Sequence, residues 1–270
     1  MRKILIGLAI SYFLGLFVLF FFQDEIIFHE KILADNYQFK FDVPYKELWI
    51  EVDNASEPKS KINALYFYAD SLAKKGLVVY YHGNANNLNR SAKFAADFTK
   101  NGYDILMIDY RGYGKSRGKF SEKGLISDAS ATYNFAKKLF PESKIVVYGK
   151  SLGSGIATQI AAANHPKVLL LETPYFNFPD IARHFFPLIP YKLLLKYQFA
   201  SDQYIAKVPC PVHLFHGDND GLVYYESSIK LAKVLGKNPA KILTTIKGGE
   251  HRNLSKFPEY HTALDSILAK

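Results

Sequence analysis

Residues 144–163 read KIVVYGKSLGSGIATQIAAA, a short apolar strand that passes into a small-residue helix with no loop between them. The joint is Gly149-Lys150-Ser151-Leu152-Gly153. A chain can change from strand to helix in so few residues only through a tight, strained turn, and the residue at its apex then projects alone above the sheet. The positions two before and two after that residue must be nearly free of side chain, and Gly149 and Gly153 meet the need. Gly155, Ala157 and the alanines at 161–163 let the helix lie close to its strand. The helix N-terminus aims backbone N–H groups at negative charge developing beside the apex. Ser151 is therefore the candidate nucleophile.

The spacing alone is weak evidence, because it occurs twice. Gly114-Lys115-Ser116-Arg117-Gly118 follows the strand DILMIDY (104–110) only after Arg111-Gly112-Tyr113. No helix starts directly behind it; the next N-cap is Ser121, which predicts a helix to about Phe140. Ser116 thus sits in a glycine-rich loop without a strand-to-helix turn. Both sites contain Gly-Lys-Ser, but a phosphate loop needs a further glycine five residues earlier, where this chain has Lys144 and Asp109. A nucleotide site is excluded.

The joint at Ser151 resembles the nucleophile elbow of the α/β-hydrolases. A serine hydroxyl reacts slowly at neutral pH unless a base takes its proton and an acid orients that base. In that fold the chain order is Ser, then Asp or Glu, then His. Downstream lies PVHLFHGDNDGLV (211–223), a strand running into an acidic turn, and then AKILTTIKGGEHRNL (240–254), a strand, a Gly-Gly turn and His251. Of eight histidines, only His251 combines a loop after a strand with the last place in that order. His213 reads as packed within its strand, and His82 and His216 as shaping turns at strand ends. Three carboxylates compete for the acid. HGDNDGLV resembles the family's His-Gly-x-x-Asp-x-x-Val pattern, which implies Asp220 and leaves Asp218 as a turn residue. Glu172, after the strand KVLLLE, is the third, since some hydrolases place the acid one strand earlier. The resemblance also implies an oxyanion hole from the N–H of Leu152 and, through the His-Gly-x likeness of HGNA, from Asn84.

HGNA, DYRGYGKS, GKSLGSG, HGDNDGLV and GGEH occur in the family's order over residues 47–270. The likeness is greatest to the membrane-anchored ABHD-type branch of the serine hydrolases, in which DYRGYGKS is scaffold. Membership implies acyl transfer to water through a serine ester, and names neither the acyl nor the leaving group. A serine peptidase of the same fold and a non-catalytic ligand-binding member are the alternatives.

Residues 4–22 carry no charge. As a helix that run spans about 28 Å, close to a hydrocarbon core of roughly 30 Å. Arg2 and Lys3 precede it; Asp24 and Glu25 follow. The expectation is a single uncleaved membrane anchor, N-terminus cytoplasmic, with the hydrolase domain across the membrane, on the periplasmic side in a bacterium. A cleaved signal peptide would have a shorter apolar core and an A-x-A-like end, and neither is present. Cys210 is the single cysteine, which rules out an intrachain disulfide. No His/Cys/Asp cluster has metal-ligand spacing, so neither a metal nor another cofactor is expected. The net charge of +9 is spread along lysine-rich helix faces without a nucleic-acid-binding motif, so nucleic acid is not an expected partner.

The expected architecture is an α/β-hydrolase fold. After the anchor (1–22) and a linker (23–46, with an edge strand at 37–43) comes the hydrolase domain (47–270). Strands are predicted at 47–53, 61–69, 76–82, 104–110, 144–148, 167–172, 211–216 and 240–247, and helices at 86–100, 121–140 and behind Ser151. This gives a mostly parallel sheet of about eight strands, covered on both faces, behind an antiparallel lead-in. Residues 174–208 break the rhythm and are rich in Phe, Tyr and Leu. In the resembling family this interval is the cap, and its apolar content favours a lipid-like ester or thioester as substrate.

Overall fold

The computed structural model describes residues 1–54, 57–71, 73–185 and 187–270. Its centre is an eight-stranded sheet built from β1 (Tyr45–Asn54), β2 (Glu57–Phe67), β3 (Gly76–Tyr81), β4 (Tyr103–Ile108), β5 (Ile145–Lys150), β6 (Val168–Glu172), β7 (Val212–Gly217) and β8 (Leu243–Ile246). Their order across the sheet is β8-β7-β6-β5-β3-β4-β2-β1. β1 pairs antiparallel with β2, and β2 antiparallel with β4; every other neighbouring pair is parallel. The α/β-hydrolase fold expected from the motifs is the fold observed, with β1 and β2 as its antiparallel lead-in.

Period-two alternation divides each inner strand between two cores. Leu77, Val79 and Tyr81 of β3, Val147 of β5 and Leu169 and Leu171 of β6 face one layer. Val78, Tyr80, Val146, Tyr148 and Leu170 face the other. Strands covered on both sides must read as unbroken apolar runs, which is why GLVVYY has no exposed position. Helix α2 (Glu122–Leu139) covers the first face with Leu125, Ala129 and Tyr133, beside α3 (Leu152–Ala162). Ser121 caps α2, its hydroxyl accepting from the Gly124 N–H. The C-terminal helix Pro258–Leu268 covers the second face with Tyr260, Leu264 and Leu268.

Two local expectations fail. Residues 37–43 form no strand; Phe39 instead packs into the second core, between Tyr37 and Phe41. The helix predicted over 86–100 is three short pieces, Leu88–Ser91, Ala92–Phe94 and Ala96–Thr99. Its start is displaced because Asn86 is left-handed (φ 73) and Asn87 takes the cap, while Asp109 Oδ1 accepts the Leu88 N–H at 2.9 Å.

The N-terminal helix, α1 (Arg2–Ile27), is long and apolar enough to cross a membrane by length and composition. It outruns the uncharged stretch by a turn and ends against the domain. His29–Glu30 pairs parallel with Ala85–Asn86 in the loop after β3. Gln23, near its end, is buried.

Candidate active site

Each candidate side chain stands where a strand ends. Ser151, directly after β5, has φ 49 and ψ −117, a left-handed backbone that a non-glycine residue adopts only under constraint. The constraint comes from close packing. A Cβ on Gly149 would lie 2.4 Å from the Gly153 carbonyl oxygen, and one on Gly153 would lie 2.0 Å from that of Tyr81. Only glycine fits either place. The Ser151 N–H donates to the Glu172 carbonyl at 2.9 Å, which ties the turn to β6.

Asp220 follows β7 in the turn that leads from Gly217. Its Oδ1 accepts the N–H groups of Leu222 and Val223, both at 2.9 Å. Its Oδ2 is 2.8 Å from His251 Nδ1 and 3.2 Å from His216 Nε2. Burial pushes this carboxyl up, but the bonds from His216, His251 and the Val223 N–H outweigh burial and hold it well below the usual carboxylate range. His251, after β8, completes the line: its Nε2 is 2.8 Å from Ser151 Oγ. Three side chains from three loops are thus connected by two short contacts through one imidazole. With Nδ1–H donated to the carboxylate, Nε2 is left to accept the serine proton.

The other carboxylates are occupied elsewhere. Asp218 Oδ1 accepts the Gly248 N–H at 2.6 Å within the turns. Glu172 accepts from Lys150 at 2.6 Å and from the Tyr148 hydroxyl at 2.5 Å. The second serine motif is also committed: the buried Ser116 hydroxyl donates to the Asp109 carbonyl at 2.6 Å and accepts the Asn63 N–H at 2.8 Å. Arg111 of the same loop forms a buried ion pair with Asp128 of α2 at 2.7 Å.

The loop after β3 also packs against Ser151. A Cβ on Gly83 would stand 3.4 Å from Ser151 Cβ, so the bare backbone there brings Asn84 to the cleft. The Asn84 side chain is held by the Tyr113 hydroxyl at 3.0 Å and donates to the Ile27 carbonyl at the end of the N-terminal helix. Leu152 starts α3, where the first N–H groups of a helix have no partner in the helix itself. His82 bonds the Gly83 carbonyl at 2.7 Å, and His216 bonds the Val223 carbonyl at 2.8 Å, so both shape the turns they precede. His213, whose burial lowers it to about 4, is bonded to Thr244.

Sequence reasoning missed two features. His216 does more than shape a turn, since it also shares the Asp220 carboxylate; its spacing four residues before Asp220 was the available signal. The cleft is also not made by residues 47–270 alone. It encloses about 430 Å³ and is lined by Ser151, Leu152, Asn84 and His251 together with Leu19, Gln23, Ile26 and Ile27 of the N-terminal helix. Phe178, Ile181, Phe185, Ile189 and Leu194, from the aromatic-rich interval 174–208, line it too.

The model of the hydrolase family described as serine aminopeptidase, S33, matches residues 73–201. The lysophosphatidylserine lipase ABHD12 of Macaca fascicularis is 26% identical over 239 residues, covering 76% of this chain and 58% of that protein. An uncharacterized protein of Mycobacterium tuberculosis is 30% identical over 165 residues, 60% of this chain and 59% of its own. The chain thus spans well under two thirds of the length of these relatives. Among solved structures, an esterase of Pyrococcus furiosus superposes with a TM-score of 0.67 at 19% identity, covering 90% of this chain and 97% of its own, which speaks for the fold. The strand order and the turn at Ser151 are those of the α/β-hydrolase fold, and the chain is similar to the ABHD12 lipases over 76% of its length.

Proposed function

We propose that this protein is a membrane-anchored serine hydrolase that cleaves a lipid-like acyl ester or thioester. Ser151 is the nucleophile, His251 the general base and Asp220 the orienting acid. The observation that carries the reading is the imidazole of His251, 2.8 Å from Ser151 Oγ on one side and 2.8 Å from Asp220 Oδ2 on the other.

In the first step Ser151 Oγ attacks the acyl carbonyl while His251 Nε2 takes its proton. The imidazolium so formed is stabilised by the Asp220 carboxylate at Nδ1. The carbonyl oxygen becomes an oxyanion, which the N–H groups of Leu152 and Asn84 receive. Collapse of that intermediate breaks the bond to the leaving alcohol or thiol, and His251 returns the proton to it. Water then attacks the acyl-Ser151 ester with His251 again as base, which releases the carboxylic acid and restores the serine.

The lining supports a lipid-like substrate. Most of the lining is aliphatic and aromatic, while Arg90 and Arg252 contribute cationic groups. No Asp or Glu lines it among the described residues, so the α-ammonium of a peptide substrate has no ionic partner there. That weighs against an aminopeptidase and for an acyl group attached to an anionic head. The relatives named as lysophosphatidylserine lipases fit that chemistry. The anchor reading rests on the uncharged run and its flanking charges, which put the N-terminus in the cytoplasm and the catalytic domain on the other side.

A fluorophosphonate probe tests the assignment on the full chain. Labelling is expected in the wild type and in Ser116→Ala and absent in Ser151→Ala. An unlabelled wild type, or labelling that survives in Ser151→Ala, overturns it.

A further inference from the structure

A simple tether would leave the catalytic domain free beneath a flexible linker. Here the N-terminal helix is bonded to the cap segment by its own polar side chains. Gln23 Nε2 donates to the Leu194 carbonyl at 3.0 Å, and Gln23 Oε1 accepts the Lys196 N–H at 2.8 Å. The Tyr197 hydroxyl donates to Asp24 at 2.8 Å. Deeper along the helix, the Tyr12 hydroxyl donates to the Leu188 carbonyl at 2.8 Å.

The last contact fixes a depth. Tyr12 lies about 15 Å down the helix from Phe22, and a hydrocarbon core is roughly 30 Å thick. A helix that spans the membrane therefore carries the cap residue bonded to Tyr12 well below the headgroups. The residues there suit that place: Phe185 is 44% exposed and Leu188 82% exposed. Non-helical backbone is tolerated in hydrocarbon only where its polar groups find protein partners. Tyr12 and Gln23 supply such partners to the carbonyls of Leu188 and Leu194.

The cleft lies along this seam. Leu19, Gln23, Ile26 and Ile27 form its wall on the helix side, Phe185 and Ile189 form part of its cap side, and Ser151 lines the same cleft. We propose that the cap loop around Leu188 enters the bilayer beside the anchor, and that the gap between them is an acyl-chain subsite open to the lipid. A single-chain lipid would then slide its chain along the anchor until the ester reaches Ser151, with its head against Arg90 and Arg252. The inference rests on the catalytic reading above.

The full chain, reconstituted in phosphatidylcholine vesicles, allows two readouts. The first is the ratio of p-nitrophenyl palmitate to p-nitrophenyl butyrate hydrolysis. Leu19→Trp and Ile26→Trp, which fill the wall, are expected to lower that ratio at least tenfold. Phe13→Trp, on the helix away from the cleft, is expected to leave it unchanged. A ratio within twofold of wild type in both wall variants, with butyrate still hydrolysed, overturns the subsite. The second readout moves the single tryptophan: Leu188→Trp in a Trp49→Phe background. Quenching of its fluorescence by phosphatidylcholine brominated in the acyl chain supports insertion, and emission untouched by the brominated lipid overturns it. A wild type that hydrolyses neither ester overturns the catalytic reading, and the subsite falls with it.

Discussion

Gly153 lies directly against Tyr81: a Cβ on it would stand 2.0 Å from the Tyr81 carbonyl oxygen. The opposing atom is backbone of the central strand β3, so it cannot swing aside as a flexible side chain would. The contact sets how close α3 sits to the sheet, and hence where the Ser151 hydroxyl and the Leu152 N–H point. Gly153→Ala is expected to destabilise the protein by about 1–3 kcal/mol, the usual cost of overpacking. Fluorophosphonate labelling of the remaining folded protein should fall as well. Thermal melting and labelling measured on one preparation check both parts.

Ser116→Ala separates the two Gly-Lys-Ser sites. The hydroxyl is buried and holds the Asp109 carbonyl and the Asn63 N–H together. Removing it leaves both without that partner, at a cost of about 1–3 kcal/mol. The urea midpoint should fall while hydrolysis per labelled active site stays near wild type.

Asp220→Asn keeps the shape of the acid and removes its charge. The imidazolium loses its stabilising partner and the tautomer is no longer set, so kcat should drop by about 10⁴-fold. Stability should respond to pH with a defined sign. The folded carboxyl is held below its ordinary range, so the unfolded chain takes up this proton first as pH falls. The stabilisation from Asp220 is therefore complete above about pH 5 and is lost as pH falls through the folded value. Melting temperatures from pH 6 to pH 3 should fall more steeply for wild type than for Asp220→Asn.

Arg111 and Asp128 form an ion pair with side chains 1% and 0% exposed. Breaking one partner leaves an uncompensated charge in the interior, and Arg111→Met should cost about 3–5 kcal/mol. Adding Asp128→Leu removes the stranded carboxylate and should recover much of that loss. A double-mutant cycle in urea gives the coupling. This pair also accounts for Gly124, where a Cβ would meet the Arg111 guanidinium at 2.5 Å.

Much of the fold was legible because it is written locally. Buried parallel strands have to be continuous apolar runs, and the runs at 76–82, 144–148 and 167–172 lie on β3, β5 and β6. The cap at Ser121 and the glycines around Ser151 depend on neighbours a few residues away, and the α2 start and the turn at Ser151 follow them. The failures were local signals overruled by distant partners. Asp109, over twenty residues downstream, takes the Leu88 N–H where a longer helix was expected. The aromatic side chains of 37–43 reach the second core without any strand pairing.

The chemistry of the candidate site was determined by the sequence: which serine has a strand-to-helix turn, which histidine follows the last strand, and which carboxylates stand between. These are short-range properties of chain order and side-chain type. Among those carboxylates the motif resemblance favoured Asp220, and the tertiary structure places it, rather than Asp218 or Glu172, against the imidazole, a matter of a few ångströms between loops far apart in the chain. It alone brought the N-terminal helix to the cleft. Nothing in an uncharged run of residues says whether it stands apart or packs; that is settled by the backbone groups of Leu188, Leu194 and Lys196, which Tyr12 and Gln23 satisfy.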